Sequence, residues 1–269
     1  MIIFLSALEN GGRFNYINDR IDQYHYNLMS YFYITKNVKY YEKIIEKTKL
    51  AVIDSGAHSF QEGQKVDWLE YTKEYANWIY ENDRDNILGY FEMDIDPAGY
   101  PLEFVEYLRS ILQSKSDKII KVWHMNRGIE EFKEMVKNPE NSMRLVAITG
   151  YQNVDIREEQ YINFVKYADA HDVQLFALGM TRKKLMDTVP FDYVDSSSWK
   201  QGPIYGKVRG EKVTKEHSKK KDSLAEMLYH SYLEGMEMQV HYRAKWLNHF
   251  TQKQERINEQ RKKSKISKK

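Results

Sequence analysis

Short apolar runs recur along the chain, each ending abruptly in small or charged residues and followed by a stretch of helical period. MIIFLSAL over 1–8 is a continuous apolar run with the length of a buried strand, stopped by Glu9 and Asn10. Over 21–47 the residues Ile21, Tyr24, Leu28 and Phe32, then Tyr41, Ile44 and Ile45, recur at helical spacing, which predicts two helices broken near 35–37. Further strands are predicted over 50–53, 87–93, 119–123, 145–148, 173–178 and from 193 into Asp195, with a weak eighth near 203–208. Between them, helices are predicted from Trp68 with Asp67 near its start, and over 102–112, 129–136, 158–170 and 182–187. A long helix over 224–250 carries Leu224, Leu228, Tyr232, Met236, Val240 and Leu247 along one face.

Strands alternating regularly with helices predict an α/β fold with a parallel sheet. Eight such units close into a (β/α)8 TIM-type barrel, and 269 residues suit one. A doubly wound open sheet is the alternative, but ENGGR after the first strand does not match the glycine-rich phosphate loop expected there. The boundary falls near residue 210: a barrel domain over 1–210, then 211–269 with a basic segment, the long helix and a lysine-rich tail.

Composition narrows the class. The chain has no cysteine, which excludes disulfides and cysteine-ligated metal centres and fits a cytoplasmic setting. No run of about 18 apolar residues predicts a membrane span, and the N-terminus lacks the basic start of a secretory signal. Net charge is only +2, yet 207–221 and 253–269 are strongly basic, a pattern that suits contact with nucleic acid. A solvated tail explains the last dozen residues equally well.

Barrel strands deliver their C-terminal ends to one mouth, and chemistry-bearing residues gather there. They are Asp54, Ser55 and Gly56 in LAVIDSGAHSF; Asp94 and Asp96 in YFEMDIDPAG; His124; Gly150; Gly179 and Met180; and Asp195 in FDYVDSSSW. A single aspartate after a strand is commonly a turn former. Three in one concave site repel, so they must be protonated, hydrogen-bonded or matched to a cation, and two in unlike environments can divide nucleophile and acid/base roles.

DSGA at 54–57, MDID at 93–96, AITG at 147–150 and LFALGMTRKKLMDTVPFDYVDSSSW at 175–199 together resemble the queuine/archaeosine tRNA-guanine transglycosylases. The resemblance implies that Asp195 is the nucleophile attacking C1′ and that Asp54 is the acid/base. It also implies that Asp94 reads the guanine edge, with Ser55, Gly56, His124, Gly150, Gly179 and Met180 (or Tyr151) around the base. His124 stands where that family has a glutamine, and His58 where an aromatic is expected. The family's cysteine-ligated zinc has no ligands here, so the chain is most similar to the compact, zinc-free phage and bacterial DNA-modifying branch. That branch exchanges guanine for a 7-deazaguanine such as preQ0. Implied partners are DNA in preference to tRNA and a free 7-deazaguanine base, with no cofactor and no metal; a homodimer is left open. Arg182, Lys183, Lys184, Lys207, Arg209, Lys212 and Lys215 are the candidate phosphate contacts. Two other readings use the same residues. Asp54, His58, Asp94, Asp96 and His124 could ligate a divalent metal in a barrel hydrolase, and the basic C-terminal region could belong to a non-catalytic nucleic-acid platform.

Overall fold

Eight parallel strands close on themselves in chain order in the computed structural model, which describes residues 1–10, 13–60, 65–151, 154–208, 211–212 and 223–266. They are β1 (Ile2–Ser6), β2 (Tyr24–Ser30), β3 (Thr48–Asp54), β4 (Ile87–Phe91), β5 (Ile119–His124), β6 (Leu145–Thr149), β7 (Gln174–Ala177) and β8 (Tyr193–Ser196). β8 returns to β1 with Phe4 opposite Asp195, which seals the barrel. The helices are α1 (Phe14–Asn18), α2 (Tyr31–Ile34), α3 (Val38–Lys47), α4 (Trp68–Asn82), α5 (Leu102–Gln113), α6 (Ile129–Lys137), α7 (Glu158–Ala170), α8 (Lys183–Thr188) and α9 (Gln201–Ile204). α10 (Ser223–Lys245) and α11 (Leu247–Ile266) complete the chain. This is the (β/α)8 barrel that the alternation predicts. Among the described residues no helix is long and apolar enough to cross a membrane.

The strand census differs from expectation in one place. The second strand is Tyr24–Ser30, inside the stretch whose spacing suggests a helix, while the weak candidate near 203–208 lies outside the barrel. That later segment is α9 and a two-residue strand, β9 (Lys207–Val208), antiparallel to β10 (Glu211–Lys212). The reason is burial on both faces. A parallel barrel strand lies between the barrel interior and the helix ring, so it shows no alternation to distinguish it from a short helix. Asn27 in β2 is fully buried and donates to Thr48 Oγ1 at 3.1 Å while accepting from Tyr232 Oη at 2.6 Å.

The interior is filled by Phe4, Val52, Phe91, Val122, Ala147, Phe176 and Tyr193. Phe4 and Phe176 stack at 5.5 Å and the Phe91 ring meets Phe176 edge-on at 5.2 Å, so the barrel is packed and not a pore. Strand period two then fixes what stands above this layer: Ser6 follows Phe4, Asp54 follows Val52, His124 follows Val122 and Asp195 follows Tyr193.

α10 and α11 replace the single predicted helix, with the break at Trp246. The predicted apolar face is met in part: Tyr232 is buried, with Leu228 and Met236 packed against the core, but Leu224, Val240 and Leu247 are exposed, and the buried stripe also takes in Ala225, Gly235, Gln239 and Tyr242. α10 lies so close to β1 that a Cβ on Gly235 would fall 2.8 Å from Leu5 Cδ1. The Gln239 amide donates to Ile3 O at 2.9 Å and Tyr26 O at 2.8 Å, tying the helix to two strands.

Candidate functional site

The mouth is built from turns that each strand enters at its carboxyl end. After β3 the chain turns through Gly56 at φ +80°, where a Cβ would lie 2.5 Å from Phe32 Cβ, so only glycine fits the turn. Gly56 N donates to Asp54 Oδ2 at 2.8 Å, the local turn bond that an aspartate makes in this position. Asp54 therefore shapes its own turn and still presents a carboxyl to the site. Ser55 is fully buried, its carbonyl accepting from Tyr71 Oη at 2.8 Å.

Asp94 and Asp96, two apart, have separate partners. Asp94 Oδ2 accepts from His58 Nε2 at 3.1 Å and His124 Nε2 at 3.0 Å. Its Oδ1 is buried with no hydrogen-bond partner. Asp96 is gripped from both sides of its carboxylate by Arg127, through Nε at 3.0 Å and Nη2 at 2.5 Å. Arg127 Nη1 also lies 3.8 Å from Glu92, a fully buried carboxylate that bonds Arg109 Nε and accepts from Val122 N at 2.7 Å. Asp96 thus belongs to a buried arginine–carboxylate network, and Asp94 is the member open to a ligand.

Asp195 is buried, with Oδ2 accepting from Ser6 Oγ at 2.6 Å and Oδ1 from Gly179 N at 2.8 Å. Both donors are neutral, and neither Asp54 nor Asp195 has an ion pair among the described residues. Trp199 Nε1 donates to Ser6 O at 2.9 Å and locks the turn after β8 against the end of β1.

These environments separate the carboxyls. Burial pushes Asp54 up to about 6, reinforced by the negative charges of Asp94 and Asp195 and opposed by His58 and Gly56 N. Burial also raises Asp195, against its bonds from Ser6 and Gly179. For Asp94 burial acts upward too, but His58 and His124 outweigh it and hold the carboxyl well below the usual range. The Asp94 charge in turn raises His58 to about 9. The three aspartates stand at or just beyond the carboxyl ends of β3, β4 and β8, the same end of the closed parallel barrel.

Glu9 completes the mouth and was not singled out from sequence, where it reads as a loop residue after β1. It is fully buried, with Oε1 accepting from Ser30 N at 2.9 Å and Oε2 unpartnered. Burial lifts its carboxyl to about 7. Ser6, Glu92 and Arg127 were also missed; a serine or glutamate at a strand end carries no local signal until its partners are known.

Other expected residues take different places. Met180, the residue after Gly179, is buried and belongs to the apolar cluster that includes Ala177, Leu185 and Val189, and Tyr151 is half-buried. Gly150 is required by the approach of Val154 O, which a Cβ would meet at 2.2 Å. Gly179, at φ +66° and exposed, supplies its N–H to Asp195. Arg182 pairs with Asp155 at 2.9 Å and Lys184 with Glu158 at 2.9 Å, while Lys183, Lys207 and Lys212 are exposed. Arg209 and Lys215 lie outside the described residues. His58, Asp94 and His124 offer three ligand atoms within 4.8 Å of one another. No family model, curated protein or solved structure matches this chain.

Proposed function

We propose that the mouth catalyses base exchange on a nucleoside in nucleic acid, replacing guanine with a 7-deazaguanine base such as preQ0. The observation that carries this reading is the pair Asp54 and Asp195: two desolvated carboxyls at one mouth, without ion pairs and with unlike partners. Asp195, fixed from both oxygens by neutral donors, attacks C1′ as the C1′–N9 bond breaks, forming a covalent glycosyl ester. Asp54, at about 6, can both give and take a proton near neutrality. It protonates the departing guanine, then takes the N9 proton from the incoming base, whose nitrogen attacks C1′ and releases Asp195. The unpartnered Asp94 Oδ1 accepts from the N1–H and amino edge of the base. The base reaches the mouth by leaving the stack, with Lys183, Lys207 and Lys212 meeting phosphates. DNA is the favoured substrate over tRNA.

The test incubates the protein with labelled preQ0 and offers duplex DNA and tRNA in parallel. Label enters one polymer, and Asp195→Ala reduces incorporation at least about a thousandfold. Absence of label in both polymers, or label that survives Asp195→Ala, removes the reading.

A further inference from the structure

We infer that His58, Asp94 and His124 form a binding site for a divalent transition-metal ion of the zinc class. The ligand atoms are His58 Nε2, His124 Nε2 and Asp94 Oδ2, with two edges of the triangle at 3.1 and 3.0 Å and all three atoms within 4.8 Å. Around a tetrahedral zinc with bonds of 2.0–2.1 Å, ligand atoms lie about 3.3 Å apart, so the two edges to Asp94 Oδ2 are close to ligating size. Two imidazoles and one carboxylate are a donor set suited to zinc, cobalt or iron and poorly suited to magnesium or calcium.

Three features separate this trio from an ordinary buried ion pair. Both imidazoles converge on the same carboxylate oxygen, while Oδ1 lies buried without a hydrogen-bond partner. Asp96, 4.0 Å from His124 Nε2, is engaged by Arg127 and does not compete. The His58 side chain is 60% exposed while His124 is 2% and Asp94 5%, which leaves an entry path on one side and a desolvated floor on the other. Ligation through Oδ2 alone keeps Oδ1 free for a donor on the substrate. With three protein ligands the fourth position is open to water or to a carbonyl oxygen. The ion also balances part of the negative charge that Asp54 and Asp195 share with Asp94.

The inference goes beyond base exchange and does not depend on it. The full chain is freed of metal with a chelator, dialysed, and titrated with Zn2+ and Co2+. Bound metal is measured by elemental analysis, and the cobalt complex by its visible absorption. About one equivalent is expected, with the intense cobalt bands of a four-coordinate site. His58→Ala, on an exposed turn where loss of fold is not expected, weakens binding at least about tenfold. Asp94→Asn abolishes it. Asp195→Ala, which removes base exchange, binds the ion as the unaltered protein does. Failure of the protein to retain either ion, or equal binding by His58→Ala and the unaltered chain, overturns the inference.

Discussion

Glu9 shows how a single side chain can set the pH behaviour of the whole fold. Its ordinary value of 4.5 is raised to about 7 in the folded state by burial, so the folded chain holds a proton that the unfolded chain releases. As pH rises from 4.5 to 7 the unfolded state is favoured progressively, by an amount on the order of 3 kcal/mol. Asp54 adds a loss of the same sign between 3.8 and about 6. Glu9→Gln, which keeps an acceptor for Ser30 N and carries no charge, is expected to flatten the part of the curve approaching pH 7 and to raise stability at pH 8. Urea unfolding at half-unit pH intervals measures it; an unchanged slope in the variant contradicts the assignment. At the carboxyls proposed for catalysis, Ser6→Ala removes the donor to Asp195 Oδ2. It is expected to lower exchange by about ten- to a hundredfold while leaving the fold intact, because the proposed nucleophile loses its orientation. Single-turnover labelling distinguishes this from weaker nucleic-acid binding.

Among the elements, α10 is the one whose packing is decided by contact and not by amphipathic period. Glycine inside a helix costs about 1 kcal/mol relative to alanine, a cost offset here by the close approach of Leu5. Gly235→Val is expected to destabilise the chain by about 1–3 kcal/mol through overpacking, read as a lower urea midpoint. Tyr232→Phe removes the donor to the buried Asn27 amide oxygen and is expected to cost about 1–3 kcal/mol despite its small change in volume. β2, the strand least legible in the sequence, is thus held partly by a residue about two hundred positions away.

For the molecule as a whole, α11 fastens the floor of the barrel. Phe250 packs beneath Tyr193 at 6.0 Å, and the fully buried Lys253 ammonium lies 2.5 Å from both Asp192 and Asp169. Asp192 also accepts from Leu175 N, so one aspartate joins α11, β7 and the start of β8. Lys253→Ala leaves the buried Asp192 carboxylate without its cation and is expected to cost about 3–5 kcal/mol at pH 7. Thermal unfolding of the variant beside the unaltered chain at pH 7 checks the size of the loss. These ion pairs lie at the floor, opposite the mouth that holds the candidate site, the end of a barrel associated with stability.

The alternation of apolar runs with helical periods determines the α/β class, and the aspartates that end β3, β4 and β8 are visible as a set because a carboxylate is conspicuous after an apolar strand. Asp67 as the start of α4 is equally local: its side chain accepts from Glu70 N at 3.0 Å. What the chain order does not contain is which partner each group meets. That Asp96 is spent on Arg127, that Asp94 lies between two histidines, that Asp195 is oriented by Ser6 and Gly179, and that Glu9 is buried beside Ser30 are outcomes of barrel closure. So is the assignment of the second strand to Tyr24–Ser30. Local periodicity records the faces an element must bury, whereas hydrogen-bond partners and desolvation depend on residues brought together from up to 236 positions apart.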